Sequence, residues 1–182
     1  MPCDPDTLAR KAARIRLLLF DVDGVLTDGR ILLHGDGSES KLFSIRDGTG
    51  IVWAHRAGLT TGILSARESP ATAARAAQLG MPIVRQHAGD KLQTYLDLMR
   101  HERLVDEDVA FMGDDLLDLA VLARVGLSTA PADAAAEVRS RVDWVSASPG
   151  GRGAARELIE LVLKAQGRWD ALLAGYLPEA AV

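Results

Sequence analysis

The sequence predicts an α/β protein in which helices cover a central, mainly parallel sheet. Segments typical of short buried strands alternate with amphipathic helical segments, as in βαβ units. The first predicted strand, at residues 15–21, is almost continuously apolar, which indicates burial on both faces. Aromatic residues make up only 4% of the chain. We therefore expect a core of Ala, Val, Ile and Leu between helices and sheet.

Five further segments have the length and composition of buried strands. They cover residues 60–65, 82–86, 109–113, 126–130 and 143–146. Helical patterns cover residues 49–57, 69–79, 90–101, 116–124 and 152–166. Ser69 and Pro70 suit the N-cap and first turn of the second helix. Ligands of such sheets bind beyond the carboxyl ends of the strands, so we expect the functional site there.

Two segments interrupt this alternation. Residues 30–44 predict a β-hairpin, because a Gly-Asp-Gly turn at residues 35–37 separates two extended runs. A two-stranded hairpin is marginally stable alone, so its apolar side chains need cover. We expect the tail at residues 167–182 to be a docked extension. Without a linker or repeat, the chain is predicted to form one domain over residues 1–182.

Composition and charge argue against several classes of protein. A single cysteine, Cys3, excludes an internal disulfide and, without a zinc-ligand cluster, favours a cytoplasmic location. Lys and Arg number 21 against 25 Asp and Glu, a net charge of −4 that argues against a nucleic-acid partner. No apolar run is long enough to span a membrane, and the first residues lack the apolar core of a secretory signal.

Carboxylates gather at the end of the first predicted strand. Asp21, Asp23 and Asp28 fall within eight residues, at a point where the chain leaves the sheet. Clustered carboxylates repel one another, and a divalent cation resolves that conflict. Mg²⁺ prefers a few carboxylates together with water and substrate phosphate. The alternative interpretation is a polar turn in which the aspartates are only caps.

A second acidic cluster follows the strand at residues 109–113. Asp115 and Asp118 could serve as a helix cap and a first-turn acid, which is their structural interpretation. That interpretation does not explain Asp114, which follows Gly113 directly at the strand end. Asp114 is therefore the better candidate for a metal ligand.

Two single residues complete the candidate site. Ser65 ends a predicted strand, where its hydroxyl could bind a phosphate oxygen or simply stabilise a turn. Lys91 opens a predicted helix, an unfavourable place for a cation unless it faces an anion. A solvated surface lysine is the alternative.

Together these motifs resemble the haloacid dehalogenase superfamily of phosphotransferases. The motifs occur in the order Asp-x-Asp-Gly-Val at residues 21–25, Ser65, Lys91 and Gly-Asp-Asp-x-x-Asp at residues 113–118. The resemblance implies a Rossmann-like three-layer sandwich. It also implies that Asp21 is a nucleophile that forms an aspartyl phosphate, and that Asp23 is the general acid and then the general base.

The resemblance further implies how the site binds its ligands. Mg²⁺ would be held by Asp21, by the backbone carbonyl of Asp23 and by Asp114. Ser65 and Lys91 would bind the transferring phosphoryl group, whose charge must be offset before a carboxylate can attack it. A supporting role falls to Asp115 or Asp118, which would orient the lysine or complete the outer shell of the metal.

A narrower resemblance covers nearly the whole chain. Residues 21–29, 41–51, 113–119 and 150–157 resemble the family of 3-deoxy-D-manno-octulosonate 8-phosphate phosphatases. That family is capless, acts in lipopolysaccharide biosynthesis and forms homotetramers whose hairpins build a central barrel. The resemblance implies that a neighbouring subunit shields the active site. Ser-Ala-Arg at residues 65–67 departs from the family's Thr-Gly-Arg, and Ala removes backbone freedom there.

The substrate implied is a keto-deoxy sugar acid phosphate. By resemblance, Arg67, Lys41, Asp47 and Arg156 are candidates to contact the sugar acid, since guanidinium groups bind carboxylates bidentately. A nine-carbon keto-deoxy sugar acid 9-phosphate, or a broad range of sugar phosphates, is the alternative. From another class, the alternative is a non-catalytic oligomerisation module of a sugar-acid cytidylyltransferase system.

Overall fold

The computed structural model describes residues 3–177 and confirms the α/β sandwich. The strands are β1 (Leu17–Phe20), β2 (Leu32–Leu33), β3 (Glu39–Ser40), β4 (Thr60–Leu64), β5 (Ile83–Arg85), β6 (Val109–Met112), β7 (Leu127–Ala130) and β8 (Trp144–Val145). Six of them form one sheet in the order β5-β4-β1-β6-β7-β8, and every pairing is parallel. Each of the six lies within a segment that the sequence predicts as a strand.

Helices cover both faces of this sheet. They are α1 (Pro5–Arg14), α2 (Ile45–Arg56), α3 (Pro70–Leu79), α4 (Lys91–Glu102), α5 (Leu119–Leu122), α6 (Ala136–Arg139), α7 (Ala154–Ala165) and α8 (Trp169–Ala174). Side chains alternate along β1, so that Leu18 and Phe20 join the core beneath α1, α2 and α7. Leu17 and Leu19 join the core beneath α4 and α5. None of the helices within residues 3–177 is long and apolar enough to cross a membrane.

Helix boundaries differ from the sequence prediction at several points. The helix predicted from residue 49 begins at Ile45, because the Ser44 hydroxyl accepts a hydrogen bond from the Asp47 N–H and caps it. The segment predicted as a helix from residue 116 starts as a 3₁₀ turn, Leu116–Asp118. Helices α1, α6 and α8 were not predicted as helices, and α1 is largely polar and buries only Ala12.

The two irregular segments also form structure. Strands β2 and β3 pair as an antiparallel hairpin, with Gly37 at a φ of 87° in its turn, as the Gly-Asp-Gly pattern predicts. The tail is docked through α8, and the Trp53 Nε1–H donates to the Tyr176 hydroxyl at 2.7 Å. The prediction for residues 178–182 lies outside the described residues.

Candidate active site

The topology brings the two acidic clusters together. Strand β1 is flanked by β4 on one side and β6 on the other, and the chain crosses between these sides after β5. Such a change of direction opens a crevice at the carboxyl edge of the sheet. Asp21 directly follows β1, and its N–H donates to the Met112 carbonyl at the end of β6. Asp114 follows β6 two residues later, so the acidic clusters meet in this crevice.

Three carboxylates form a compact group there. One oxygen each of Asp21, Asp114 and Asp118 lies within 4.8 Å of the others. Lys91 Nζ lies 3.1 Å from Asp21 Oδ1 and 2.6 Å from Asp118 Oδ1. The second oxygen of Asp118 accepts hydrogen bonds from the backbone N–H groups of Asp114 and Asp115, at 2.9 and 3.3 Å. Asp118 thus holds both the lysine and the loop that carries Asp114.

The electrostatics of this group favour a bound cation. Burial, followed by the charge of Asp118, raises the pKa of Asp21 to about 6. Burial and the charges of Asp21 and Asp118 raise the pKa of Asp114 to about 8. Burial would lower the pKa of Lys91, but the charges of Asp21 and Asp118 outweigh burial and raise this pKa above its ordinary value. The buried Asp114 Oδ1 has no hydrogen-bond partner. An oxygen donor set with an unpaired carboxylate oxygen fits Mg²⁺.

Gly24 makes the approach of Asp114 possible. It follows the first acidic pair and adopts a φ of 91°, a conformation that costs little only for glycine. A Cβ atom at this position would overlap the Asp114 carboxyl group. The glycine of the Asp-x-Asp-Gly motif therefore provides both a backbone conformation and space for the second acidic cluster.

A cavity of about 220 Å³ opens onto these groups. It is lined by Asp21, Asp23, Ser65, Ala66, Arg67, Lys91, Asp114, Asp115, Leu117 and Asp118. The structure therefore gathers the predicted catalytic and metal-binding residues around one space, although they come from four separate segments of the chain. Asp115 also caps the following 3₁₀ turn, because its carboxylate accepts from the Leu116 N–H at 2.7 Å. Asp28 lies outside the cavity and accepts from the Arg30 N–H.

Asp23 is paired with a cation from the hairpin segment. Lys41 Nζ donates to both carboxylate oxygens of Asp23, at 2.7 and 2.8 Å. The Lys41 side chain is 0% exposed and does not line the cavity, which does not support direct contact with a substrate. Arg67 lines the cavity with a side chain that is 52% exposed, and its Nε lies 3.7 Å from Asp23 Oδ2.

Asp47 and Arg156, like Lys41, are predicted substrate contacts that lie outside the cavity. Asp47 is 2% exposed, and its carboxylate accepts from the backbone N–H groups of Gly153 and Arg156 at the start of α7. The Arg156 guanidinium lies 3.5 Å above the Trp53 ring and donates to Glu160. Neither side chain lines the cavity. In this chain these residues join α2 to α7, and their contact with a substrate stays a prediction.

One charged residue near the site was not predicted. Glu39 accepts from Arg67 Nη2 at 2.9 Å and lies 3.9 Å from Lys41 Nζ. Residues two apart in an extended segment point to the same face, so the pattern Glu39-Ser-Lys41 could have indicated that Glu39 and Lys41 lie side by side. Its partners come from distant segments, which the sequence pattern does not reveal.

Comparison with known proteins agrees with this geometry. A profile described as haloacid dehalogenase-like hydrolase matches residues 64–158. The 3-deoxy-D-manno-octulosonate 8-phosphate phosphatase of Escherichia coli K12 is 43% identical over 169 residues, which are 93% of this chain and 89% of the relative. This chain belongs to the haloacid dehalogenase-like hydrolases. The family resemblance predicted from the motifs is thereby confirmed.

Solved structures of haloacid dehalogenase-like hydrolases share the whole fold. The 3-deoxy-D-manno-octulosonate 8-phosphate phosphatase of Yersinia pestis has a TM-score of 0.89 at 40% identity, over 91% of this chain and 89% of that chain. The enzyme of the same name from Moraxella catarrhalis has a TM-score of 0.93 at 33% identity, over 96% and 100% of the two chains. Its structure contains a magnesium ion, a phosphate ion and a KDO molecule.

Proposed function

We propose that this hydrolase is a Mg²⁺-dependent phosphatase that converts 3-deoxy-D-manno-octulosonate 8-phosphate to 3-deoxy-D-manno-octulosonate and phosphate. The observation that carries the proposal is the group of Asp21, Asp114, Asp118 and Lys91 around one cavity. The substrate assignment rests on the relatives: they are named for this activity, and they are similar to this chain over nearly its full length. The intact acidic groups argue against a non-catalytic module.

In the first step, an oxygen of Asp21 attacks phosphorus and the ester P–O bond breaks. Asp23, at the same cavity, donates its proton to the departing alkoxide, so that the sugar acid leaves as an alcohol. In the second step, Asp23 takes a proton from water, and the water oxygen attacks phosphorus. The bond to Asp21 then breaks, which releases inorganic phosphate and restores both carboxyl groups.

The remaining groups offset charge and orient the phosphoryl group. Asp21, Asp114 and the backbone carbonyl of Asp23 would hold Mg²⁺, which when bound supplies positive charge at the phosphoryl oxygens. Lys91 adds a second positive charge, and the buried Ser65 offers a hydroxyl donor at the cavity wall. Arg67 is the cavity residue suited to bind the sugar-acid carboxylate, because its guanidinium is exposed.

We also infer a cytoplasmic homotetramer built through the hairpin. Leu33 and Leu42 are 72% and 79% exposed, and Leu32 and Ile45 beside them are exposed as well. An apolar surface of this kind marks an interaction site, and a second copy of the hairpin would also cover the edges of β2 and β3. The lone cysteine is consistent with a reducing compartment.

A phosphate-release assay tests the proposed function. We expect turnover of 3-deoxy-D-manno-octulosonate 8-phosphate with Mg²⁺, its loss with a chelator, and no turnover by Asp21→Asn. Nine-carbon keto-deoxy sugar acid 9-phosphates and common hexose phosphates serve as competing substrates. Preference for one of these contradicts the substrate assignment alone. The absence of metal-dependent turnover on every ester contradicts the phosphatase itself.

A further inference from the structure

The ammonium group of Lys41 is the fixed partner of Asp23. Its two hydrogen bonds to Asp23, at 2.7 and 2.8 Å, engage both oxygens of one carboxylate. Because the lysine side chain is fully buried, breaking this pair would leave an uncompensated charge away from water. The pair thus restricts the rotation of the Asp23 carboxylate far more than an exposed ion pair would.

The surrounding charges form a balanced group of two cations and two carboxylates. Glu39 approaches Lys41 at 3.9 Å and accepts from Arg67 at 2.9 Å, while Arg67 lies 3.7 Å from Asp23. The two cations differ in exposure, since the Arg67 side chain is 52% exposed and that of Lys41 is buried. Arg67 can therefore turn towards a bound carboxylate while Lys41 keeps its hold on Asp23.

We propose that Lys41 is a positioning residue, which aims the Asp23 carboxyl group at the leaving oxygen of the substrate. The proposal rests on the proposed function, in which Asp23 transfers a proton to that oxygen. It replaces the expectation that Lys41 contacts the sugar acid, which its burial opposes. It also differs from a purely structural role, in which Lys41 would only anchor the hairpin segment to the domain.

Leaving-group dependence distinguishes these roles. An alkoxide needs the proton of Asp23, whereas p-nitrophenolate leaves readily without it. Because Asp23 also serves the second step, which both esters share, the first step is followed alone, as the rate of alcohol or phenol release in a single turnover. We expect Lys41→Met to lower this rate by roughly 10- to 100-fold on a sugar-acid phosphate, the scale of a misplaced catalytic group, and by only about twofold on p-nitrophenyl phosphate, with the steady-state KM unchanged. Lys41→Arg, which keeps a cation, should recover most of the loss. Lys11→Met, which removes a remote pair with Asp143, is the matched control and should change neither rate.

Equal losses on both esters would show that Lys41 has only a structural role and would overturn the proposal. A rise in KM at constant kcat would show that Lys41 contacts the substrate and would overturn it as well. In an Asp23→Asn background, Lys41→Met should have little further effect on the sugar-acid phosphate, and a full additional loss would also overturn the proposal. If Lys41→Met does not fold, Lys41→Gln takes its place. A wild type inactive on both esters rejects the proposed function itself, together with this role of Lys41.

Discussion

The Nζ atom of Lys91 lies 2.6 Å from Asp118 Oδ1 and joins the start of α4 to the turn that follows β6. The same carboxylate receives the backbone N–H groups of Asp114 and Asp115, so one side chain orders both the lysine and the second acidic cluster. Asp118 therefore orients the two residues that would contact the ligands, Lys91 and Asp114, and it gives the site a fixed geometry before any ligand binds.

Asp118→Asn should therefore weaken Mg²⁺ binding or turnover by roughly 10- to 100-fold, the usual cost of losing a group that orients ligands. Asp115→Asn is the matched control, because Asp115 lines the same cavity but caps only the adjacent turn through the Leu116 N–H. Calorimetric titration of Mg²⁺ and the kcat at saturating Mg²⁺ provide the two measurements. Equal effects of the two substitutions would contradict the role given to Asp118.

Gly24→Ala should abolish Mg²⁺ binding, because the added methyl group would displace the Asp114 carboxyl group. Gly29→Ala provides the control: its φ of 77° imposes similar backbone strain, but its Cβ would contact only the Gly24 backbone. Both should lose about 1–2 kcal/mol of unfolding free energy through positive φ. Thermal unfolding and Mg²⁺ titration separate the shared strain from the specific loss. Normal Mg²⁺ affinity in Gly24→Ala would contradict this prediction.

The affinity for Mg²⁺ should rise with pH. Burial first, and then neighbouring charge, raises the pKa of Asp114 to about 8 and that of Asp21 to about 6 in the metal-free protein, and a metal requires both groups ionised. At pH 7, binding should thus release about one proton, from Asp114. Titration calorimetry in buffers with different ionisation enthalpies counts it. A constant affinity from pH 6 to pH 8 would disagree with this assignment.

The same pKa values predict how the stability of the metal-free protein depends on pH. In the folded protein the pKa values of Asp21 and Asp114 lie above those of the same groups in an unfolded chain. The protonated carboxyl groups therefore stabilise the fold at low pH, and this contribution is lost as pH rises through about 6 for Asp21 and about 8 for Asp114. Added Mg²⁺ should reverse this trend, because the cation favours the ionised forms. Chemical denaturation with and without Mg²⁺ across this range measures both effects.

Asp47→Ala should lower the free energy of unfolding by about 1–3 kcal/mol, because it leaves the buried N–H group of Gly153 and the partly buried N–H group of Arg156 without this acceptor. Asp170→Ala, at an exposed acid in the first turn of α8, should change stability little. Chemical denaturation measures both. An increased KM of Asp47→Ala at unchanged stability would instead favour the original expectation of a substrate contact.

The double variant Leu33→Glu, Leu42→Glu should have a lower mass in solution than the tetramer expected of the wild type. The two glutamates would place charges in the apolar interface, where they are costly to bury. Val105→Glu, at an exposed apolar position in the loop after α4, is the control. Light scattering after size-exclusion chromatography measures the mass. A wild-type monomer, or a tetramer that survives both substitutions, would contradict the hairpin interface.

Much of the sheet and part of the site follow from local sequence. Short continuous apolar runs such as Leu17–Phe20, bounded by turn residues, are typical of buried strands, and acids placed where such strands end gather at one edge of a parallel sheet. Order along the chain therefore predicts that Asp21, Ser65 and Asp114 line one cavity. Helix α1 was not predicted because it is largely polar and buries only Ala12, and packing against α7 stabilises it.

The partners of individual charges depend on tertiary structure. Lys41 reaches Asp23 across 18 residues because the hairpin folds back over the site, and Asp47 reaches Gly153 across 106 residues because α2 packs on α7. A sequence motif states which residue types are present, but burial and the direction of each side chain decide whether a charge faces substrate or another charge. The sequence by itself thus determined the sheet, the acidic edge and the family. Only packing decided that Lys41 and Asp47 turn inwards, since a charge removed from water must meet its counter-charge or donors wherever the fold places them.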